Sequence, residues 1–402
     1  MPLAVQELDE LAPSPAELDI LRLRRPRRPV RVLHVVNGEH YAGAERVQDL
    51  LALRLPDFGV ATAFACVKPD RFPAARKSET PLYNYPMRGR FDLRPARKMA
   101  RLIRDEEFDL VHTHTPRAAL VGRIAAGLAQ VPMVHHVHGQ TSIEVRRRWL
   151  SRLSAVVERM SLSKAKAVIA VSDSAGRYIA NHGIEAARVR TICNGVPARD
   201  ALAPRATPQR CWTLGIIALL RPRKGLETLL EALALLRQQG HDVRLRAVGS
   251  FETEAYDRCV KKHAERLGVS ELVEWTGFRS EIDKELAQMD LLVFPSLLAE
   301  GLPMVVIEAM AAGVPVVGTR VDGVVDAICD GSNGLLCEPG DAASLSKAIG
   351  RVVSGHADWQ SLRTAAWRRQ REQFSDRSMA HNLADLYREI LYSCPAREHI
   401  ET

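Results

Sequence analysis

Two glutamates in the second half of the chain, Glu300 and Glu308, are separated by seven residues. Gly301 and Pro303 break the chain between them, so we expect Glu300 in a loop and Glu308 in the first two turns of a helix that begins at Met304. Carboxylates accept hydrogen bonds from vicinal hydroxyls, and a helix N-terminus is a natural site for a phosphate. The stretch could therefore hold a phosphate and hydroxyl-rich rings. The plainer alternative is that Glu308 complements the helix dipole and Glu300 is solvated.

Apolar runs alternate with helix-like segments along the whole chain. They are RVLHVV, FDLVHTHT, VPMVHHVHG and AVIAVS in the first half, and TLGIIALL, VRLRAVGS, VEWTGF, DLLVFPS and VPVVGT in the second. Strands that are apolar throughout and alternate with helices are typical of a parallel α/β architecture. Ligands of such sheets bind at the carboxyl ends of the strands, so the residues that follow these runs are the candidates for chemistry.

The same pattern divides the 402 residues into two α/β halves. The stretch GVPARDALAPRATPQR (195–210) is rich in Pro, Ala and Arg and lacks an apolar period, which is typical of a linker. A chain of this length also fits two domains better than one. We therefore predict an N-terminal domain over 29–200 and a C-terminal domain over 206–374, preceded by a disordered, charged leader over 1–28.

The composition is that of a folded globular protein, with 46% hydrophobic and 26% charged residues and a formal net charge of +8. The charge is uneven. Residues 1–205 hold 33 Lys and Arg against 21 Asp and Glu, whereas residues 206–402 hold 23 against 27. The first half should therefore attract anions and the second half should not. Only 5% of residues are aromatic and no nucleic-acid-binding motif is recognised, so we expect no nucleic-acid partner.

The lack of a recognisable targeting signal and the pattern of cysteines favour a cytoplasmic protein. The chain has no uninterrupted apolar run of about 18 residues, so we expect no transmembrane helix. The acidic N-terminus and the arginines that follow it lack the apolar region of a secretory signal. The seven cysteines are odd in number and form no CxxC pair, which does not suggest a disulfide framework. We therefore expect a reduced, cytoplasmic protein.

The two-glutamate stretch resembles the signature of the retaining glycosyltransferases of the GT-B fold, family 4 type: AEGLPMVVIEAMAAGVPVV. Other segments resemble the same family in the same order, namely AGAERV, DLVHTHTPRAALVGRIAA, VPMVHHVHG, AKAVIAVSDS, ICNGV, RPRKGLETLLEAL, VEWTGFRSEIDKELAQMDLLVFPS and VDGVVDAICDGSNGLLCEPGD. The resemblance spans roughly residues 31–390. It implies two Rossmann-like parallel-sheet domains that face each other across a cleft, the first binding the acceptor and the second a nucleotide-sugar donor. It also implies a last helix, within 375–395, that crosses back to the first domain.

The resemblance implies a role for each matching residue. Glu308 would bind the ribose hydroxyls of the donor, Glu300 would contact the transferred sugar, and Lys224 would lie on the diphosphate as a point charge. His138 would contact the donor sugar near the reaction centre. Further donor contacts, mostly through the backbone, are implied for Gly43, Gly249, Phe278, Gly301, Leu302, Pro303 and Met304.

Plainer alternatives stand beside these roles. Lys224 could be an ordinary exposed turn lysine, Gly43 a plain turn glycine, and His138 a satisfied core or second-shell histidine. That last description fits four other histidines better than His138: His112, His114, His135 and His136.

Two features depart from the family's pattern. The family usually carries an arginine five residues before the lysine, where it clamps the diphosphate, and this chain has Leu219 there. Arg221 or Arg223 is the candidate to reach the phosphates instead. The paired glycines of the first loop are here Ala42 and Gly43.

The implied reaction moves a sugar from a nucleotide diphosphate to an acceptor hydroxyl and retains the anomeric configuration. Its transition state carries negative charge on the leaving diphosphate, so it needs positioning and charge stabilisation more than a strong base. No DxD-like pair follows a strand, and we expect neither a metal ion nor a cofactor. Two alternatives remain: a nucleotide-sugar epimerase of the same fold, and a sugar-nucleotide-binding protein without catalysis.

The acceptor side is less constrained. A basic segment with apolar neighbours holds Arg146, Arg147, Arg148 and Trp149. A basic amphipathic helix with a Trp can bind an anionic membrane surface, although an ordinary surface helix has the same pattern. We therefore predict a glycan or lipid-linked acceptor and a possible peripheral location on the inner face of a membrane.

Overall fold

The computed structural model describes residues 28–89, 92–139, 162 and 164–392. Within them the chain forms two β-sheets, and each strand pairs with its neighbours in the parallel direction. In the described residues, helices lie between most successive strands of each sheet, as crossover connections between parallel strands require. The prediction of a parallel α/β architecture with two sheets is therefore confirmed.

The first sheet has the strand order β3-β2-β1-β4-β5-β6-β7. Its strands are β1 (Val30–Val36), β2 (Val60–Cys66), β3 (Leu82–Asn84), β4 (Leu110–Thr113), β5 (Met133–Val137), β6 (Ala167–Ala170) and β7 (Val189–Thr191). Its described helices are α1 (Gly43–Arg54), α2 (Phe72–Ala75), α3 (Arg94–Asp105), α4 (Pro116–Ala129) and α5 (Asp173–Asn181). The strand order reverses between β1 and β4, and such a switch point opens a crevice at the carboxyl ends of the strands.

The second sheet has the order β10-β9-β8-β11-β12-β13. Its strands are β8 (Trp212–Ile217), β9 (Val243–Val248), β10 (Val273–Gly277), β11 (Leu291–Phe294), β12 (Val316–Thr319) and β13 (Gly334–Cys337). The helices that follow are α6 (Leu226–Gln238), α7 (Glu254–Arg266), α8 (Ile282–Leu286), α9 (Met304–Ala311), α10 (Val324–Ala327), α11 (Ala342–Val353), α12 (Trp359–Gln373) and α13 (Asp376–Tyr392). Here the order reverses between β8 and β11, the two strands that precede Lys224 and Glu300.

Capping hydrogen bonds explain why two helices begin directly after strands of the first sheet. The Thr115 hydroxyl accepts a hydrogen bond from the Ala118 amide at 3.2 Å, which caps α4 directly after β4. The Ser172 hydroxyl accepts one from the Ala175 amide at 3.2 Å, which caps α5 after β6. Such caps satisfy N–H groups that have no acceptor within the helix. The polar residues at these strand ends therefore have a structural use as well as a possible chemical one.

Helix α13 connects the C-terminal end of the described chain to the first sheet. The Arg54 guanidinium of α1 donates a 2.7 Å hydrogen bond to Asp376, and the Tyr387 hydroxyl lies 2.6 Å from Nδ1 of His112 in β4. Leu383 and Tyr387 are fully buried in a hydrophobic cluster that includes residues of both sheets. Apolar burial of this kind stabilises the arrangement of the two sheets.

Other expectations have mixed outcomes. The helix expected to begin at Met304 does begin there, and it ends at Ala311. The domain bounds 29–200 and 206–374 stay predictions. The leader before residue 28 and the basic segment at 146–149 lie outside the described residues. In the described part of the chain, none of the helices combines the length and the apolarity that crossing a bilayer would need.

Candidate active site

A tight turn after β8 fixes the position of Lys224. The chain forms a short 3-10 helix, Pro222–Lys224, and then passes through Gly225 with φ +70°. A Cβ at residue 225 would lie 1.9 Å from the carbonyl oxygen of Pro295, so a larger residue would meet the backbone that follows β11. Positive φ and close backbone approach both favour glycine. The turn is thereby held against the loop that carries Glu300.

Lys224 and Glu300 form a buried ion pair. Nζ of Lys224 lies 2.6 Å from Oε1 of Glu300, and the two side chains are only 14% and 12% exposed. The hydroxyl of Ser296 donates a second hydrogen bond to the same oxygen at 2.7 Å. Burial lowers the pKa of Lys224, the carboxylate of Glu300 opposes that shift, and the charges of Arg223 and Arg221 add to it. A cation held this way, with several positive neighbours, is suited to receive a further anion.

The loop over 300–303 lies between the two sheets. A Cβ at Gly301 would come within 2.3 Å of the carbonyl oxygen of His138, which follows β5. The Ser172 hydroxyl donates to the carbonyl of Gly301 at 2.9 Å, and the Asn194 amide donates to the carbonyl of Leu302 at 3.1 Å. Backbone of the second domain thus rests directly on the first domain. The residue that follows Glu300 in the chain is thereby packed against the backbone of His138.

Helix α9 begins at Met304, directly after this loop and Pro303. The first N–H groups of a helix lack acceptors within it and form the positive end of its dipole. Gly43, which begins α1 in the first domain, faces this end: a Cβ there would lie 3.8 Å from Cγ of Met304. Glycine therefore leaves room between the two helix N-termini at this point.

Glu308 pairs with a residue of the opposite domain. Its carboxylate, 10% exposed, forms an ion pair with the guanidinium of Arg46 in α1, which is 35% exposed. Arg46 was not among the predicted site residues, because it lies 262 positions from Glu308 in the chain. Ser296, Ser172 and Asn194 were not predicted either, although Ser296 follows β11 and its position at a strand end was a usable signal.

The remaining predicted donor residues follow the strands on the β10 side of the sheet. Arg221 follows β8 and lies 3.7 Å from Glu252 in an ion pair. Gly249 follows β9, and its amide donates to the carbonyl of Gly277 at 2.9 Å. Phe278 follows the edge strand β10 and is 73% exposed. Strand spacing of about 4.8 Å places Phe278 two strands from the Lys224 turn, so it stands at the margin of the site.

Histidines occupy the centre of the first sheet. Burial lowers the pKa of His34 and His135 to about 3 and that of His138 to about 4. Burial also lowers the pKa of His112, His114 and His136 well below the usual value, and positive charge on neighbouring histidines adds to this effect. The rings are therefore neutral at physiological pH.

The expectation that these histidines are satisfied holds only in part. Oγ1 of Thr113 lies 2.7 Å from Nδ1 of His135, and the hydroxyl oxygen of Tyr387 lies 2.6 Å from Nδ1 of His112. Neither ring nitrogen of buried His136 has a hydrogen-bond partner among the residues that the structure describes. A buried polar atom without a partner costs about 1–3 kcal/mol. The ring of His136 is therefore not a satisfied core histidine.

These groups together define what the site can do. A buried ammonium group and a helix N-terminus could stabilise negative charge on a diphosphate. Two carboxylates could accept hydrogen bonds from hydroxyl groups. The residues come from both sheets, so a bound molecule would contact both domains.

The chain matches two glycosyltransferase families along its length. Residues 41–199 match the family described as Glycosyltransferase Family 4, and residues 203–369 match the family described as Glycosyl transferases group 1. The second matched segment includes the switch point between β8 and β11.

Individual proteins are similar over most of their length. The phosphatidyl-myo-inositol mannosyltransferase of Propionibacterium freudenreichii is 30% identical over 305 residues, which cover 72% of this chain and 74% of that protein. The capsular polysaccharide biosynthesis glycosyltransferase CapM of Staphylococcus aureus is 23% identical over 319 residues, 75% of this chain and 82% of that one. The crystal structure of Anabaena HepE in complex with UDP aligns with a TM-score of 0.77 at 22% identity, over 89% of this chain and 99% of that one. This structural similarity confirms the predicted GT-B fold.

Proposed function

The chain belongs to the group 1 glycosyl transferases of the GT-B fold, and from this premise we propose that it transfers a sugar from a nucleotide diphosphate sugar to a hydroxyl group of an acceptor. The proposal includes retention of the anomeric configuration and no catalytic metal ion. One observation carries it: the buried Lys224–Glu300 pair lies at the switch point of the second sheet, next to the contact between Gly301 and His138.

The electrostatics of that pair suit a leaving diphosphate. Negative charge grows on the diphosphate as its bond to the sugar breaks, and a fixed positive charge lowers the energy of that state. Lys224 is desolvated, so its attraction to the diphosphate is stronger than that of an exposed lysine. The N-terminus of α9 and the backbone over 301–304 add aligned dipoles. These groups would supply the role that a divalent cation has in other phosphate sites.

The proposed step breaks the bond between the anomeric carbon and the diphosphate oxygen. The acceptor oxygen forms its bond to the same carbon on the same face, and the acceptor proton passes to the leaving diphosphate. An oxocarbenium-like transition state needs close positioning of the two oxygens more than a strong base. Glu300 and His138 are proposed to contact the transferred sugar from opposite domains. Glu308 is proposed to accept hydrogen bonds from the ribose hydroxyls.

Related proteins support the class of donor and acceptor. Solved structures of HepE, similar in fold, contain UDP and UDP-glucose. The names of similar proteins include a capsular polysaccharide glycosyltransferase and a phosphatidyl-myo-inositol mannosyltransferase. We therefore propose a glycan or lipid-linked acceptor, in the synthesis of a polysaccharide or an envelope glycoconjugate. We further propose that the protein works in the cytoplasm, peripherally at the inner face of the membrane.

A panel of nucleotide sugars tests the function directly. Incubation of the full chain with each donor, with and without a pool of glycan and lipid-linked acceptors, should release nucleoside diphosphate from one donor and add its sugar to an acceptor. Release should not require added Mg²⁺ or Mn²⁺. Interconversion of the sugar without release would instead indicate an epimerase, and binding without turnover a non-catalytic protein. Either result would contradict the proposal.

Glu308 and Lys224 should affect different kinetic constants. Glu308→Ala removes charged hydrogen bonds to the ribose that exist in ground and transition states alike, so the donor KM should rise about 10- to 100-fold. Lys224→Ala removes charge stabilisation that grows in the transition state, so kcat should fall about 100- to 1000-fold. Steady-state kinetics with the donor found by the panel measure both. Lys347→Ala, an exposed lysine of α11, is the control. Unchanged donor kinetics in both variants would exclude these roles.

Arg46 is proposed to supply the cation that is missing at Leu219. Leu219 is 49% exposed and cannot bind phosphate, whereas Arg46 enters the site from α1 of the opposite domain and pairs with Glu308. Arginine binds phosphate oxygens through two parallel N–H groups. When a donor binds, Arg46 would move to the diphosphate and leave the Glu308 carboxylate to the ribose hydroxyls.

Arg46→Ala should therefore weaken UDP binding by about 10-fold, because a charge-assisted contact to the diphosphate is lost. Leu219→Arg in the Arg46→Ala background should restore much of the affinity. Arg54→Ala removes another ion pair between α1 and the C-terminal part of the chain, to Asp376, and should leave UDP affinity unchanged. Isothermal titration calorimetry measures all three. Unchanged or tighter binding by Arg46→Ala would mean that Arg46 only holds Glu308.

A further inference from the structure

Five histidines project from one face of the first sheet. They come from β1 (His34), β4 and its end (His112, His114), and β5 and its end (His136, His138). His34 lies directly opposite His112 in the pairing of β1 with β4. Ring centroids are 4.8 Å apart for His34 and His112 and 4.1 Å apart for His112 and His114. Packing of apolar side chains does not account for so many imidazoles in a protein core.

The hydrogen bonds within this cluster are incomplete. Nδ1 of His34 lies 2.9 Å from Nε2 of His114, whose Nδ1 lies 3.1 Å from Nε2 of His138. Five other buried ring nitrogens have no partner in the described part of the chain: Nε2 of His34, Nε2 of His112, both nitrogens of His136 and Nδ1 of His138. Buried nitrogens of this kind usually bind a protein group, an ordered water or a metal ion. The cluster is therefore incomplete without a bound species.

Three of the rings are close enough together to be candidate metal ligands. One ring nitrogen from each of His34, His112 and His114 lies within 4.8 Å of those from the other two. Tetrahedral zinc with bonds of about 2.0–2.1 Å to imidazole places its ligand nitrogens about 3.3–3.4 Å apart. The 2.9 Å separation of the His34 and His114 nitrogens is already close to that value. The three nitrogens, which lie within 4.8 Å of one another, would have to rotate toward a common centre for one ion to bind all three.

The surroundings of these rings are those of bound ligands. Metal-ligating histidines usually donate the second ring N–H to a hydrogen-bond partner, which fixes the tautomer. His112 has such a partner in the Tyr387 hydroxyl at 2.6 Å, and His114 has one in His138 at 3.1 Å. These contacts leave Nε2 of His112 for a metal ion, which would also take the place of the present contact between Nε2 of His114 and Nδ1 of His34. His114, His136 and His138 form a second candidate set, but His138 is only half-buried and is needed at the sugar site.

We propose that His34, His112 and His114 bind one divalent transition-metal ion of the zinc class, as a structural site beneath the sugar-transfer centre. Neutral imidazoles are preferred ligands of such ions, and water would fill the fourth position. The ion would join β1 to β4 and, through Tyr387, to α13. Its ligands belong to β1 and to β4 and its end in the first sheet, whereas Lys224 and Glu300 follow strands of the second, so the proposal is compatible with sugar transfer that needs no catalytic metal and does not depend on that function.

Metal analysis of the full chain tests the site. Protein stripped with a chelator and titrated with Zn²⁺ should bind about one ion per chain after gel filtration, and Co²⁺ should give the intense visible absorption of a tetrahedral complex. His34→Phe should weaken Zn²⁺ binding by more than about 100-fold. His135→Asn is the matched control, since His135 is a buried histidine of the same sheet that lies outside both candidate sets.

If His34→Phe does not fold, the wild-type protein alone still tests the proposal. Zn²⁺ should raise the thermal unfolding midpoint of the stripped wild-type protein, because an ion that binds only the folded state stabilises it. Folded wild-type protein that binds no Zn²⁺ at a tenfold molar excess would overturn the proposal. Binding of equal stoichiometry in a folded His34→Phe variant would overturn it as well, because the ion would then be at the surface.

Discussion

The loop over 300–303 packs directly against residues that follow strands of the first sheet, and the rest of the site depends on this contact. Gly301 faces the carbonyl oxygen of His138 with no space for a Cβ, and Ser172 and Asn194 bind the loop's carbonyl groups from the first domain. The first domain therefore supports the loop from one side, while Lys224 and Ser296 of the second domain hold the Glu300 carboxylate from the other. Substrate binding and domain arrangement are thus linked in one short segment.

Electrostatics follow from the same placement. Lys224 is desolvated by the surrounding backbone and keeps one carboxylate partner, Glu300, while arginines nearby disfavour its charge. A desolvated charge with incomplete compensation interacts strongly with a bound anion. The net positive charge of residues 1–205 is a separate feature, because Lys224 belongs to the other half of the chain. The diphosphate site relies on a few placed groups rather than on net charge.

Much of the fold could be predicted from the sequence, because strands buried on both faces are continuous apolar runs such as LLVF in β11. The Lys224 turn and the Glu300 loop could be predicted for the same reason, as both follow such runs. Contacts between distant segments could not. Nothing in AGAERV indicates that Arg46 meets Glu308, and nothing in β4 indicates that His112 meets Tyr387, 275 positions later. Hydrophobic periodicity reports burial, whereas partners at long range depend on how the sheets pack.

We propose that a nucleotide diphosphate binds at the switch point of the second sheet, between Lys224 and the start of α9. A crystal structure of the protein with UDP measures this most directly. We expect diphosphate oxygens within about 3 Å of Nζ of Lys224 and ribose hydroxyls at a similar distance from the Glu308 carboxylate. A diphosphate bound elsewhere, with the Lys224–Glu300 pair unchanged and the ribose away from Glu308, would contradict it.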